Sequence, residues 1–460
     1  MRTKLSPRQL LKRFRQLLPA RLLAGWLGRQ PHHFYQRALT PLITLWYFVF
    51  QHLNADHTLG AALADAFAGG ADALSPRGKR LSRQLHSQAT TSLSDARQRL
   101  PLGVLQQALR HTAQQMRSWT QNPGWLGWHV CLLDGSTLRL RPHKDIAQHF
   151  PPHGGGHHKK SYWCLMRVVA GFCLATGAAL GSAQGATSLS EQALAAQFML
   201  QTLPATLFVG DRNFGVFSVV QAVRHSQGAC LFRLTKVRAR KLARAAGLRL
   251  AEGLDGAVTW AATAHDQCQA GYSRAPVAGR LLVVRVRRPG QRSQRLYLFT
   301  TLTDRQAYSL EALVRLYAAR WHIELNLRYV KQQLELGALE CKSAAMAQKE
   351  WLAGLMAYNV IRAVMVAAAA PAQVPVTLLS FSRARQLLFQ WLLRWSWQAS
   401  AGPQTWETLL NQVAQCRHPK RRQPRPAEPR AIRYFKQAFP RLSGDRAAAR
   451  IKLTKSNGKS

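Results

Sequence analysis

Between Tyr317 and Lys342 the chain reads YAARWHIELNLRYVKQQLELGALECK, with a glutamate, Glu324, in its middle and a phenol and several cations around it. Tyr317, Arg320, Glu324, Arg328 and Lys331 stand at offsets of three, seven, eleven and fourteen residues, which nearly close whole turns of a 3.6-residue helix. On one continuous helix all five share a narrow face. An i,i+4 ladder of Glu324 with Arg320 or Arg328 would stabilise a solvated helix by about 0.2–0.5 kcal/mol. The chemical alternative is that the glutamate holds a metal while the cations hold phosphates, and this needs further carboxylates elsewhere.

Only 20 of 460 residues are Asp or Glu. Two of them, Asp134 and Asp211, close the apolar runs WHVCLLDG and TLFVGDRNFG, where an unpaired charge is costly. Asp at a strand end also caps turns, and Asp-Gly is a common turn pair, so either acid alone is ambiguous; the three together point to one site. Three convergent carboxylates, with no Ser-His or Cys-His pair to rival them, favour metal-assisted phosphoryl transfer by two divalent ions. Hard oxygen ligands select Mg²⁺ or Mn²⁺.

Such a site must be carried by a mixed sheet. Residues 1–125 read as helices: TPLITLWYFVFQHL with Thr40 as N-cap and Pro41 first, then LNADHTLGAALADAF, a short turn capped by Ser94, and LGVLQQALRHTAQQMRSW. Arg97, Arg99 and Arg110 on these helices suit a DNA-binding region or an ordinary helical cap. From Trp128 the pattern gives three strands, a helix, a strand, a helix and a strand, the order of a ribonuclease-H-like core over 126–235. A β-rich insertion over 236–294 follows, and it explains the long separation of Asp211 from Glu324. The core resumes over 295–345 with the glutamate helix starting near Ser309. Helices fill 346–416, and 417–460 is a basic, proline-rich linker and tail. The fold class expected is α/β.

Lys and Arg number 64, for a formal charge of +44. Spread over the whole length, that charge attracts polyanions and makes their binding salt-dependent. Seven scattered cysteines without a CxxC pair read as reduced thiols in a cytoplasmic protein. His153, His157 and His158 flank a GGG in what reads as a flexible basic loop rather than a metal site. The basic amphipathic N-terminus lacks the unbroken apolar core of a signal peptide. The apolar stretches 167–186 and 356–379 are interrupted by glycines or by polar residues and prolines, so no membrane partner is expected.

Tyr317-x2-Arg320-x3-Glu324-x6-Lys331 reproduces without gaps the Y-R-E-K signature of the IS-four group of bacterial insertion-sequence transposases, which are DDE enzymes. DGST at Asp134 and GDRNFG at Asp211 are similar to that family's two aspartate motifs, and the resemblance runs from about residue 40 to about 345. It implies that Asp134, Asp211 and Glu324 ligate two Mg²⁺ or Mn²⁺ ions, and that Tyr317, Arg320 and Lys331 contact phosphates near the cleaved end, with Arg328 beside them on the same face. The implied reaction is hydrolysis at a transposon end to free a 3′-OH, then attack of that 3′-OH on target DNA. The implied partners are transposon-end and target DNA, and the implied assembly is a homodimer bridging two ends, in a cytoplasmic, nucleoid-associated setting. Some members stack a flipped base on a tryptophan of the insertion; Trp260 is the tryptophan present there, and His322 lies off the active face. A ribonuclease-H-like host nuclease and a catalytically inactive DNA-binding relative are the competing readings.

Overall fold

A computed structural model describes residues 38–418 except 55, 77–78, 121–123, 153–161, 268–272, 287–293 and 398–405, together with residues 17–29 and isolated positions at 11–15 and 445–451. The histidine-rich loop at His153, His157 and His158 and most of the proline-rich tail lie outside the described residues.

The N-terminal helices are α1 (Ala20–Leu27), α2 (Pro41–Leu53), α3 (Leu59–Phe67), α4 (Thr91–Arg99) and α5 (Leu102–Ser118). Thr40 caps α2 by accepting from the Ile43 N–H, with Pro41 in the first turn. Every residue of α2 is buried, so this apolar helix is core. Helix α4 starts at Thr91 with Thr90 at its N-cap, which puts Ser94 inside the helix rather than at the cap expected for it. Arg97 is likewise buried rather than displayed to DNA. It pairs with Glu350 and lies 4.1 Å over the Phe48 ring.

Strand β1 (His129–Leu140) is followed by α6 (Lys144–His149), β2 (Cys164–Cys173), β3 (Ala179–Ala186), α7 (Glu191–Met199), β4 (Thr206–Gly210), α8 (Phe217–His225) and β5 (Ala229–Leu234). β2 pairs antiparallel with both β1 and β3, while β4 is parallel to β1 and β5 to β4. That order, β3-β2-β1-β4-β5, is the ribonuclease-H-like arrangement.

Residues 236–300 add α9 (Lys236–Ala245), β6 (Asp255–Trp260), β7 (Val277–Val286) and β8 (Gln294–Thr300). β8 pairs with β5, β7 with β8 and β6 with β7, all antiparallel, so these strands lengthen the central sheet. Trp260 is 5% exposed there and meets Phe299 edge to face at 4.9 Å. Its rings pack in the core beside Phe217 and in this structure are not displayed at the surface for the base-stacking role expected of them.

After α10 (Leu310–Ala318) and α11 (Trp321–Arg328) come a π-turn over Tyr329–Gln333, the two-residue strand β9 (Ala338–Leu339), and helices α12 (Ala344–Ala369), α13 (Phe381–Trp397) and α14 (Trp406–Gln415). The continuous helix expected from Tyr317 to Lys342 is therefore broken twice. At Ala319 and Arg320 it tightens, with the Arg320 N–H donating to the Tyr317 carbonyl and the His322 N–H to the Ala319 carbonyl, both at 3.0 Å. It ends at Leu334 because Leu334 and Leu336 are both buried, and residues two apart point to opposite sides of a helix. Glu335, between them, takes a φ of 56° and turns the chain.

One face of the sheet is covered by α2, α5, α12 and their neighbours in a common core, the other by α7, α8 and α9. α12 is the one helix among the described residues long and apolar enough to cross a membrane, but 83% of its most apolar window is buried inside the protein. It is instead tied to the sheet by polar contacts. Asn359 accepts from the Ala179 N–H and donates to the Ala179 carbonyl, and Trp351 donates to Ser182 Oγ at 2.9 Å.

Candidate active site

Strand pairing brings the first two acids together. Leu132 of β1 lies opposite Val209 of β4; two residues further along each strand the same register reaches Asp134 and Asp211. Asp134 thus falls in the middle of β1, at the point where pairing with β4 stops and pairing with β2 continues. Its carboxyl is pushed up to about 6, by burial first and by the neighbouring Asp211 and Glu191 charges, against the pull of the Gly135 N–H and Arg320. A buried carboxyl beside the Asp211 and Glu191 charges is one that neighbouring positive charge would stabilise in its ionised form.

The helical segment supplies the rest. Arg320 Nη2 donates to Glu324 Oε1 at 2.8 Å, and its charge also acts on Asp134 and Tyr317. Tyr317 is buried; that burial raises its hydroxyl's pKa, with Arg320 and Arg233 opposing and Asp211 adding to the rise. Lys331 Nζ reaches β1, donating to Ser136 Oγ at 3.0 Å and to the Thr137 carbonyl at 3.5 Å. β9 makes this reach possible by pairing with Arg139 and Leu140 of β1, which draws the end of the helical segment onto the strand. Burial, then the Arg139 charge, lowers the Lys331 ammonium.

Asp134, Asp211, Tyr317, Arg320 and Lys331 are therefore one electrostatic neighbourhood, and Glu324 joins it through Arg320. The six do not form a closed cage. Among the described residues no group of three or more His, Cys, Asp or Glu side chains is gathered to hold a metal ion. Arg328 is exposed, and its side chain makes no hydrogen bond or ion pair among the described residues. His322 is half-buried on the far side of α11, beside Arg362.

Three participants escaped the motif reading. Glu191, in the first turn of α7, faces Asp134; Asn213 bonds Glu191; and Arg233, on β5, reaches Tyr317 electrostatically. Ser190 caps α7 by accepting from the Ala193 N–H, and an acid directly after a serine cap is the local signal that could have marked Glu191.

Behind the site, Arg362 on α12 locks α11 in place. It donates to Asn326 Oδ1 and to the Tyr358 hydroxyl, each at 2.7 Å, and that hydroxyl donates to the Gly177 carbonyl.

Residues 128–360 match the family model described as the transposase DDE domain. The transposase InsG for insertion sequence element IS4 of Escherichia coli (strain K12) is 26% identical over 292 residues, covering 60% of this chain and 61% of that protein. A solved piggyBac transposase synaptic complex with hairpin DNA aligns over 88% of this chain and 85% of its own, with a TM-score of 0.40 at 9% identity, too distant to inform the site. With half of its length matched by the family model, the chain belongs to the transposase DDE-domain family.

Proposed function

We propose that this protein is a metal-dependent DNA transposase that cleaves at the ends of an insertion sequence and joins the freed 3′-OH to target DNA. The observation that carries this reading is that Asp134 and Asp211 stand side by side just beyond the last paired residues of the parallel strands β1 and β4, in the electrostatic reach of Tyr317 and Arg320 on the helical segment that bears Glu324 and Lys331.

Asp134, Asp211 and Glu324 would hold the metal. Bound divalent ions, Mg²⁺ or Mn²⁺, supply activation of the attacking oxygen and stabilisation of the leaving one. Arg320 neutralises Glu324 and offsets the charge of Asp134 while no phosphate is present. Its planar fork suits a phosphate, so an arriving DNA strand competes with Glu324 for it and leaves that carboxylate open. Lys331 stands over Ser136 and Thr137 as a second cation for the backbone, and the Tyr317 hydroxyl, with its proton held by burial, remains a donor. The partners are element-end DNA and target DNA, drawn in by the +44 charge, and a homodimer would bridge two ends. The setting is cytoplasmic, at the nucleoid.

The test is incubation of the protein with candidate element-end DNA, with Mg²⁺ or with chelator. Asp134→Ala, Asp211→Ala and Glu324→Ala each abolish cleavage while end binding persists. Strand breakage undiminished in any one of them, or undiminished by chelator, overturns the assignment.

A further inference from the structure

One acid beside the site has no role so far. Glu191 opens α7 directly after its cap Ser190, and its carboxylate packs against Gly135. A Cβ at position 135 would stand 2.6 Å from both carboxylate oxygens, so this approach requires glycine there.

The carboxylate is engaged. Asn213 Nδ2 donates to Glu191 Oε2 at 2.5 Å, and the next residue, Gln192, donates from Nε2 to Asn213 Oδ1 at 2.7 Å and to the Asn213 carbonyl at 3.1 Å. Asn213 in turn donates its backbone N–H to Asp211 Oδ1 at 2.8 Å. Two consecutive residues of α7 thus grip Asn213, and Asn213 grips Asp211.

Asp211 needs that support. It lies just past the end of β4, in a turn where no sheet hydrogen bond fixes it. Helix α7 is a rigid support, because Leu194, Ala195 and Met199 are fully buried beneath the sheet. We propose that Glu191 is a positioning residue of the metal site: through Asn213 it orients the Asp211 carboxylate, acting as a hydrogen-bond acceptor rather than as a ligand. This role rests on the reading of Asp134 and Asp211 as metal ligands.

The test titrates Mn²⁺ into the full-length protein without DNA and reads bound metal by electron paramagnetic resonance. Glu191→Ala and Asn213→Ala each weaken Mn²⁺ affinity about tenfold, the effect of losing a group that orients a ligand. The double variant is no weaker than either alone, because both act along one chain of bonds. Glu191→Gln, whose amide oxygen still accepts from Asn213, binds Mn²⁺ like the wild type. Thermal melts verify that each variant is folded, and Asn213→Ala and Glu191→Gln decide the matter if Glu191→Ala unfolds. Wild-type affinity in Asn213→Ala, additive losses in the double variant, or Glu191→Gln as weak as an alanine variant overturns the positioning role. Wild-type protein that binds no Mn²⁺, or Asp211→Ala that binds it undiminished, overturns the metal-site reading and the positioning role with it.

Discussion

Arg320 and Glu324, one helical turn apart, are joined at 2.8 Å, with the arginine side chain 18% and the glutamate side chain 38% exposed. A pair this accessible contributes little to stability, so its geometry is better understood as holding Glu324 while no phosphate competes for Arg320. Arg320→Ala is expected to change stability by no more than about 0.5 kcal/mol, while end cleavage falls by two orders of magnitude or more, on the order of a lost transition-state charge contact. Thermal melts and a gel cleavage assay on the same preparation separate the two. A loss of cleavage matched by an equal loss of folded protein would contradict this.

The buried triad of His52, Arg97 and Glu350 behaves oppositely. Arg97 is 5% and Glu350 11% exposed at the side chain, and His52 Nε2 lies 2.8 Å from Glu350. Burial alone would raise the Glu350 carboxyl, but the close approach of His52 and the Arg97 charge outweigh it and hold the carboxyl low. Glu350→Ala leaves a buried arginine unpaired and is expected to destabilise by about 3–5 kcal/mol, read from denaturant unfolding. Because the folded carboxyl is depressed, its contribution is present above the ordinary carboxylate range and is lost as pH falls through the folded value.

Asp65 has the reverse sign. It accepts from the Tyr47 hydroxyl at 3.1 Å, and burial, partly offset by that bond, pushes its carboxyl up to about 6. Stability attributable to this group is full below about pH 4 and declines as pH rises through 6. Asp65→Asn is therefore expected to match the wild type near pH 4 and to exceed it by about 1–3 kcal/mol at pH 7. Parallel pH profiles of the two proteins would show that the carboxyl is not perturbed.

Trp260 distinguishes a core residue from a base-stacking one. Wedged beside Phe299 and Phe217, it should cost about 3–5 kcal/mol on replacement by alanine. Cleavage per folded molecule is expected to stay unchanged at a temperature where Trp260→Ala remains native. A selective loss of any hairpin or strand-joining step, with melting unaltered, would return the tryptophan to the DNA.

Much of the sheet was legible because its strands are apolar and punctuated. Gly177, with φ of 71°, turns β2 into β3, and Ser309, near which the glutamate helix was expected to start, caps α10 by accepting from the Ala312 N–H. The helical face carrying Glu324 was legible in residue type but not in path. Periodicity assumes a constant 100° step, and the competition between burying Leu334 and Leu336 and continuing the helix is settled by the core rather than locally. Glu191 was illegible for a related reason: it lies far along the chain from Asp134, and only the register of β1 against its neighbours makes them adjacent.

By itself the sequence determined which side chains were available: few acids, many cations, a Tyr-Arg-Glu-Lys spacing, and two aspartates closing apolar runs. Those features depend on residue identity and local period, which a linear reading preserves. Tertiary structure decided the rest: that Asp134 and Asp211 stand side by side past the paired ends of β1 and β4, that Arg97 and Trp260 are buried, and that Glu191 reaches the site through Asn213. These depend on which distant segments pack together, and packing is fixed by the burial of the whole chain rather than by any one stretch of it.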